Sequence, residues 1–178
     1  KAFKQDVEKK RYKDWQDLID YCNKSASPVG RFVIDLHYLS NNNYDKNIES
    51  VYCGSDSLCN SLQILNHIQD CKKDFIDLNR VYIPEIYFSD FNFSTDQILK
   101  IEYRNNFLQV IRKCLKQVED MLNKSKENIR LINDNKRLKM ETYVIFNIAR
   151  KLSKLLAIND PIKKKVKLSR IDLIFCFF

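Results

Sequence analysis

An all-α fold is predicted for this chain of 178 residues, on three observations. Only two glycines and three prolines are present, fewer turn-formers than a many-stranded fold needs. Apolar residues recur at helical spacing over long stretches. Helix-start signals built on Ser27, Ser94 and Ser169 stand directly ahead of such stretches.

Taken in order, Trp15, Leu18, Ile19 and Cys22 share one face of a helix over residues 14–26. Ser27 and Pro28 read as an N-cap followed by proline at the first helical position, opening a buried helix over residues 29–39. An asparagine-rich connection reaches Asn47, and Ser55 caps a long helix to about residue 77. Residues 80–93, aromatic and containing Pro84, are irregular. Residues 94–97 restart a helix, and long amphipathic helices cover residues 101–132 and 137–158 until Pro161. A basic segment comes next at residues 163–167. Ser169 then caps a short apolar tail ending in Phe177 and Phe178.

Neither an internal repeat nor a low-complexity linker divides residues 1–178, so they read as one helical domain. An apolar content of 44% beside 30% charged residues fits a soluble globular protein. No apolar run reaches the roughly 18 residues that cross a bilayer, and no secretory signal opens the sequence. It starts at Lys1 rather than methionine, which suggests that an N-terminal portion is missing.

The six cysteines form no CxxC pair and fit the reduced thiols of a cytoplasmic protein. With only His37 and His67, a zinc centre or a Ser/His/Asp triad has little to draw on. The net charge of +8 suits nucleic acid, an anionic membrane surface or a diphosphate. No nucleic-acid-binding motif accompanies it, so nucleic acid is set aside.

Chemistry concentrates in residues 63–74. On a helix, Gln63, Asn66, Asp70 and Asp74 fall within about 80° of one another. Asp70 and Asp74 are i,i+4 neighbours whose like charges repel. A hard divalent cation offsets that, since Mg²⁺ favours one or two carboxylates with water and phosphate oxygens. The plainer alternative is the wet face of an amphipathic helix. However, the stripe carries no lysine in a chain rich in lysine and arginine. Just downstream, Arg80 and Tyr82 could hold a diphosphate through charge-assisted and hydroxyl hydrogen bonds. Ser25, Ala26 and Gly30 leave room beside a helix, either for close packing or for a long apolar ligand.

In order and spacing, these strings resemble the squalene/phytoene synthase family. The match runs through Ala2-Phe3-x-x-Asp6-Val7, Arg11-Tyr12 and Tyr21-Cys22-x-x-Ser25-Ala26-x-Pro28-Val29-Gly30-Arg31. It continues through Gln63-x-x-Asn66-x-x-x-Asp70-x-x-x-Asp74 and Arg80-x-Tyr82-x-Pro84. The wording around Ser27–Arg31 and Ser169–Asp172 looks closest to the bacterial hydroxysqualene synthase branch of hopanoid synthesis.

The resemblance implies an isoprenoid-synthase helical bundle, incomplete at its N-terminus, and a transferase acting on farnesyl or presqualene diphosphate. It implies Asp70 and Asp74 as ligands of Mg²⁺ on the diphosphate, supported by Gln63 and Asn66. Arg80 and Tyr82 would face the departing diphosphate, and Tyr21 the carbocation or the water that captures it. The family's first aspartate-rich motif lies upstream of the matched region. Asp45 and Glu49 share its spacing, but in the asparagine-rich loop. That gap keeps open a second reading, a non-catalytic scaffold on the same fold. Contact with the inner membrane face is expected through residues 163–167 and the tail, unless the tail packs on the bundle.

Overall fold

The computed structural model describes residues 2–39, 47–132 and 135–176. Asp45, Phe177 and Phe178 lie outside them. The helices, in chain order, are α1 (Ala2–Glu8), α2 (Trp15–Ser25), α3 (Ser27–Leu39), α4 (Ile48–Leu78), α5 (Glu85–Ser89), α6 (Arg104–Ile129), α7 (Lys136–Ile158) and α8 (Arg170–Phe175). The all-α prediction holds: the described residues contain no strand, only an isolated bridge between Arg11 and Val81.

Local sequence sets several boundaries. Asp14 caps α2, its Oδ1 accepting the Asp17 N–H at 2.9 Å. Ser169 and Asp172 cap α8 reciprocally. The Ser94 capping box supports only one 3-10 turn, Thr95–Gln97; a second, Ile101–Tyr103, leads into α6. The segment expected to be irregular holds the short helix α5.

The core forms where α4, the 31-residue axis, meets α6 and α7. Ile64, Leu65 and Ile68 of α4 are buried against Phe107, Val110, Ile111 and Val118 of α6 and Ala149 and Leu156 of α7. α4 starts at Ile48 rather than at Ser55, because Ile48, Val51 and Tyr52 extend its packed face by two turns. Gly54 lets α6 come close. A Cβ on Gly54 would lie 2.5 Å from the Asn128 Cβ.

α3 forms as expected but is not the buried helix foreseen. Ile34 and Tyr38 are buried, whereas Val29, Phe32, Val33 and Leu36 stand 41–63% exposed. α3 packs against α2 and α4 through one face, and its apolar residues are spread around more than that face.

Candidate active site

The carboxylate stripe forms on α4. Gln63, Asp70 and Asp74 are half-buried and Asn66 is exposed. Burial raises the Asp74 carboxyl above its ordinary range, and the neighbouring Asp70 charge adds to this. Asp70 is not free: Lys165 forms an ion pair with it. The Gln69 amide meanwhile donates to the Val166 carbonyl at 2.6 Å. Residues 163–167, expected to touch a membrane, thus fold partly back onto α4. Val166 is buried, while Lys163, Lys164 and Lys167 remain exposed.

The end of α4 turns the chain back towards the stripe. Asn79 adopts the left-handed conformation at φ 49°, and the Arg80 N–H donates to the Asp74 carbonyl at 3.1 Å. The N-terminal segment then pairs with residues 81–85, the Val81 N–H donating to the Lys10 carbonyl at 3.0 Å and the Glu85 N–H to the Tyr12 carbonyl at 2.8 Å. These bonds bring Asp6 and Tyr12 beside Arg80 and Tyr82.

Arg80 is buried and largely committed. Its Nε donates to the Lys9 carbonyl at 3.2 Å, its Nη1 to the Tyr82 hydroxyl at 3.0 Å, and its Nη2 to the Asp6 carbonyl. The Asp6 carboxylate lies 3.9 Å from Nη1. Three of the five guanidinium donors are therefore used inside the protein. The charge still reaches the stripe, where it partly offsets the rise at Asp74.

Tyr21 and Tyr82 join Tyr12 and His67 in a packed aromatic cluster. Ring centroids lie 5.5 Å apart for Tyr12–Tyr21, 5.3 Å for Tyr12–Tyr82 and 5.5 Å for Tyr21–Tyr82. His67 stacks on Tyr82 at 3.4 Å and 12° between planes. Burial, and after it hydrogen bonding to Asp6, pushes the Tyr21 hydroxyl above its ordinary range. The buried Tyr12 hydroxyl has no hydrogen-bond partner among the described residues.

His67 is the site residue that the sequence reading passed over. It lies about 20° from Asp74 and about 60° from Asp70 around the helix, so its spacing was the available signal. The Gln63 amide and the His67 ring meet at 3.2 Å between their Nε2 atoms. Burial first, and then the Arg80 charge, push the imidazole down to about 3, which keeps it neutral. Lys165 was missed for another reason, since its contact with α4 spans most of the chain.

The small-residue string divides. A Cβ on Gly30 would come within 2.3 Å of the Ser55 Oγ and 2.6 Å of the Cys59 Sγ. Gly30 thus sets the approach of α3 to α4, and it also lines an apolar cavity of about 200 Å³ with Val33, Leu58, Cys59, Leu62 and Ile129. Ser25 and Ala26 do not line that cavity. Ser25 donates back to the Tyr21 carbonyl at 3.1 Å and Ala26 closes α2. Cys59 lies on the same face of α4 as Asp70, about three turns or roughly 16 Å away. One helix face therefore runs from an apolar hollow to a carboxylate pair.

No cluster of three His, Cys, Asp or Glu occurs among the described residues, so what the stripe offers a divalent cation is the Asp70–Asp74 pair. Two carboxylates whose charges press on each other suit Mg²⁺ with water and phosphate oxygens completing its shell.

Comparison with known proteins bears on this arrangement. The hydroxysqualene synthase of Sinorhizobium fredii is 39% identical over 97% of this chain and 56% of that protein. That of Zymomonas mobilis is 36% identical over 93% of this chain and 52% of its own length. The crystal structure of squalene synthase HpnC from Alicyclobacillus acidocaldarius superposes with a TM-score of 0.74 at 25% identity, covering 86% of this chain and 54% of that one. A complex of TcSQS with the ligand BPH1237 gives a TM-score of 0.85 at 17% identity, over 99% of this chain and 51% of that one, which concerns the fold alone. The chain spans about half the length of the curated relatives it matches. Residues 1–172 match squalene/phytoene synthase, and the chain belongs to that family.

Proposed function

We propose that the α4 stripe is the carboxylate half of a Mg²⁺–diphosphate site, in a protein that ionises farnesyl or presqualene diphosphate for squalene or hydroxysqualene formation. One observation carries the reading: a single helix face joins the apolar cavity to Asp70 and Asp74, with the aromatic cluster beside the carboxylates. Mg²⁺ would supply charge neutralisation of the leaving diphosphate.

The chain's own residues do the rest. Asp70 and Asp74 provide the ligands, and Gln63 and Asn66 support that face. Arg80 keeps two donors for phosphate oxygens and holds the Tyr82 hydroxyl in place. The cavity takes the isoprenoid chain away from water. Tyr21 would stand near the developing carbocation, which aromatic quadrupoles attract, or near the water that captures it, with Tyr82 packed behind it in the aromatic cluster. Lys165 must leave Asp70 before a metal is held there.

The scaffold reading draws on that same ion pair and on the commitment of Arg80 to the protein interior. Calorimetric titration of the 178-residue chain with pyrophosphate separates the two. The catalytic reading expects binding that requires Mg²⁺ and disappears in D70N/D74N. Binding that ignores both the metal and the substitutions, or no binding at all, refutes it. Mg²⁺-dependent release of diphosphate from farnesyl or presqualene diphosphate is the companion assay of the activity itself.

A further inference from the structure

The flank of the bundle away from α4 carries a second charged feature. Arg112 and Lys116 of α6 and Arg150 and Lys154 of α7 line one groove of about 270 Å³, with Glu119 as its single acid. All four cations are exposed, and none makes an ion pair among the described residues. This sets them apart from Lys9, Arg31, Lys113, Arg137 and Lys151, each of which has an acidic partner. The groove floor is buried Leu115, Leu122 and Phe146. Charges of one sign over a low-dielectric floor focus their field outward and attract an anion more strongly than the same charges scattered in water.

The shape narrows the choice of anion. Two helices present no unpaired backbone edge for an extended peptide to join. The floor residues Leu115, Leu122 and Phe146 are each buried, so the groove meets a ligand chiefly through the cationic side chains along its walls.

What lies alongside points to a bilayer. Ile158 continues the Arg150–Lys154 stripe by one further turn and is 79% exposed. α8 packs along the neighbouring stripe of α7, where the Asn147 amide donates to the Cys176 carbonyl at 3.1 Å and Lys151 pairs with Asp172 at 3.1 Å. That stripe lies about 60° around α7 from Arg150 and Lys154. From there α8 turns Ile171 and Ile174, 65% and 58% exposed, towards solvent. Unpaired cations flanked by exposed aliphatic side chains match the two layers of an anionic membrane surface, phosphate outside and hydrocarbon beneath.

We propose that the α6–α7 groove docks the protein on an anionic bilayer, with lipid phosphates between Arg112, Lys116, Arg150 and Lys154 and with Ile158 and α8 entering the acyl boundary. The membrane-facing charge thereby moves away from residues 163–167, whose central lysine is occupied by Asp70.

The test is flotation of the 178-residue chain with phosphatidylglycerol–phosphatidylcholine vesicles, compared with phosphatidylcholine alone. The chain is expected on the anionic vesicles only. R112Q/K116Q/K154Q should lower partitioning by about tenfold or more, and E119Q should raise it. K163Q/K164Q/K167Q removes the same charge and should cost at most about threefold, since its residues lie outside the docking face. All the substituted side chains are exposed, so helical content and melting temperature should stay at wild-type values, which are read in parallel. Equal losses in the two triple variants, a larger loss in the loop variant, or no partition to anionic vesicles would overturn the proposal. So would retention of soluble poly-glutamate as firmly as of vesicles, which would mark the groove as a seat for an acidic polypeptide.

Discussion

Replacing Gly54 by alanine tests how tightly α4 and α6 are pressed together. The new Cβ would sit 2.5 Å from the Asn128 Cβ and 3.6 Å from its Cα. A Cβ cannot be swung aside by a rotamer change, so the helices themselves must part. Overpacking of this kind costs about 1–3 kcal/mol, while alanine returns up to about 1 kcal/mol of helix propensity. The expected net loss is about 1–2 kcal/mol, or roughly 2–8 °C in melting temperature for a chain of this size. Thermal unfolding monitored by circular dichroism measures it. The cycle is completed with N128G, which removes the opposing Cβ and costs about 0.3 kcal/mol of helix propensity by itself. G54A/N128G should then be more stable than the sum of the single effects by about 1 kcal/mol or more. Additive effects, or a stabilised G54A, would show that the two helices are not in close contact at Gly54 and would refute the reasoning.

Three more outcomes are expected from the site and its supports. His67 is held neutral, with its folded value depressed to about 3 against 6.5 for the free group. Its contribution to stability is therefore fully present above pH 6.5 and is lost as pH falls towards 3, at no more than about 1.4 kcal/mol per pH unit. H67F, which keeps the stack on Tyr82, should flatten that part of a urea-unfolding series; an unchanged slope would place the proton elsewhere. Asp74 has the opposite sign. Its raised carboxyl favours the folded state at low pH and costs stability above its folded value, so D74N should stabilise the chain at pH 7 and lose that advantage below about pH 3.8. D14A removes the acceptor of the Asp17 N–H and should lower stability by about 1 kcal/mol, recovered largely by D14S.

Much of the fold was readable because it rests on local chemistry. Asp14 and Ser169 mark helix starts through side chains that act within three residues, and the spacing of Leu58, Leu65 and Ile68 displays the buried face of α4. Ser27, expected as a cap, is instead the first residue of α3, and its hydroxyl donates to the Asn60 Oδ1 at 3.0 Å. The start of α4 was misplaced because Ser55 is a favoured N-cap residue type, whereas Gly54 just before it lies inside the helix. In the fold Gly54 answers a distant neighbour, Asn128. α1 left no clear periodic signal, since it is fixed by Arg80 more than by its own seven residues.

The candidate site divides the same way. The stripe from Gln63 to Asp74 is a spacing pattern within one helix, so it shows in the residue order. Lys165 on Asp70 and Tyr12 on Tyr82 are meetings across the chain, and periodicity holds no information about them. Ser25 and Ala26 share small size with Gly30, but only Gly30 faces both Ser55 and the cavity, a distinction of direction rather than composition.

The grip of Arg80 on the Lys9 and Asp6 carbonyls has a consequence for the leading end of the chain. A helix of seven residues is too short to persist in water unaided. One guanidinium therefore serves as the clasp of α1, so a substitution made there to probe chemistry would also free the front of the molecule. In R80A, amide hydrogens of residues 3–9 should exchange with deuterium markedly sooner while those of α6 keep their protection. Any drop in ligand affinity measured on such a variant has to be read against that loosening.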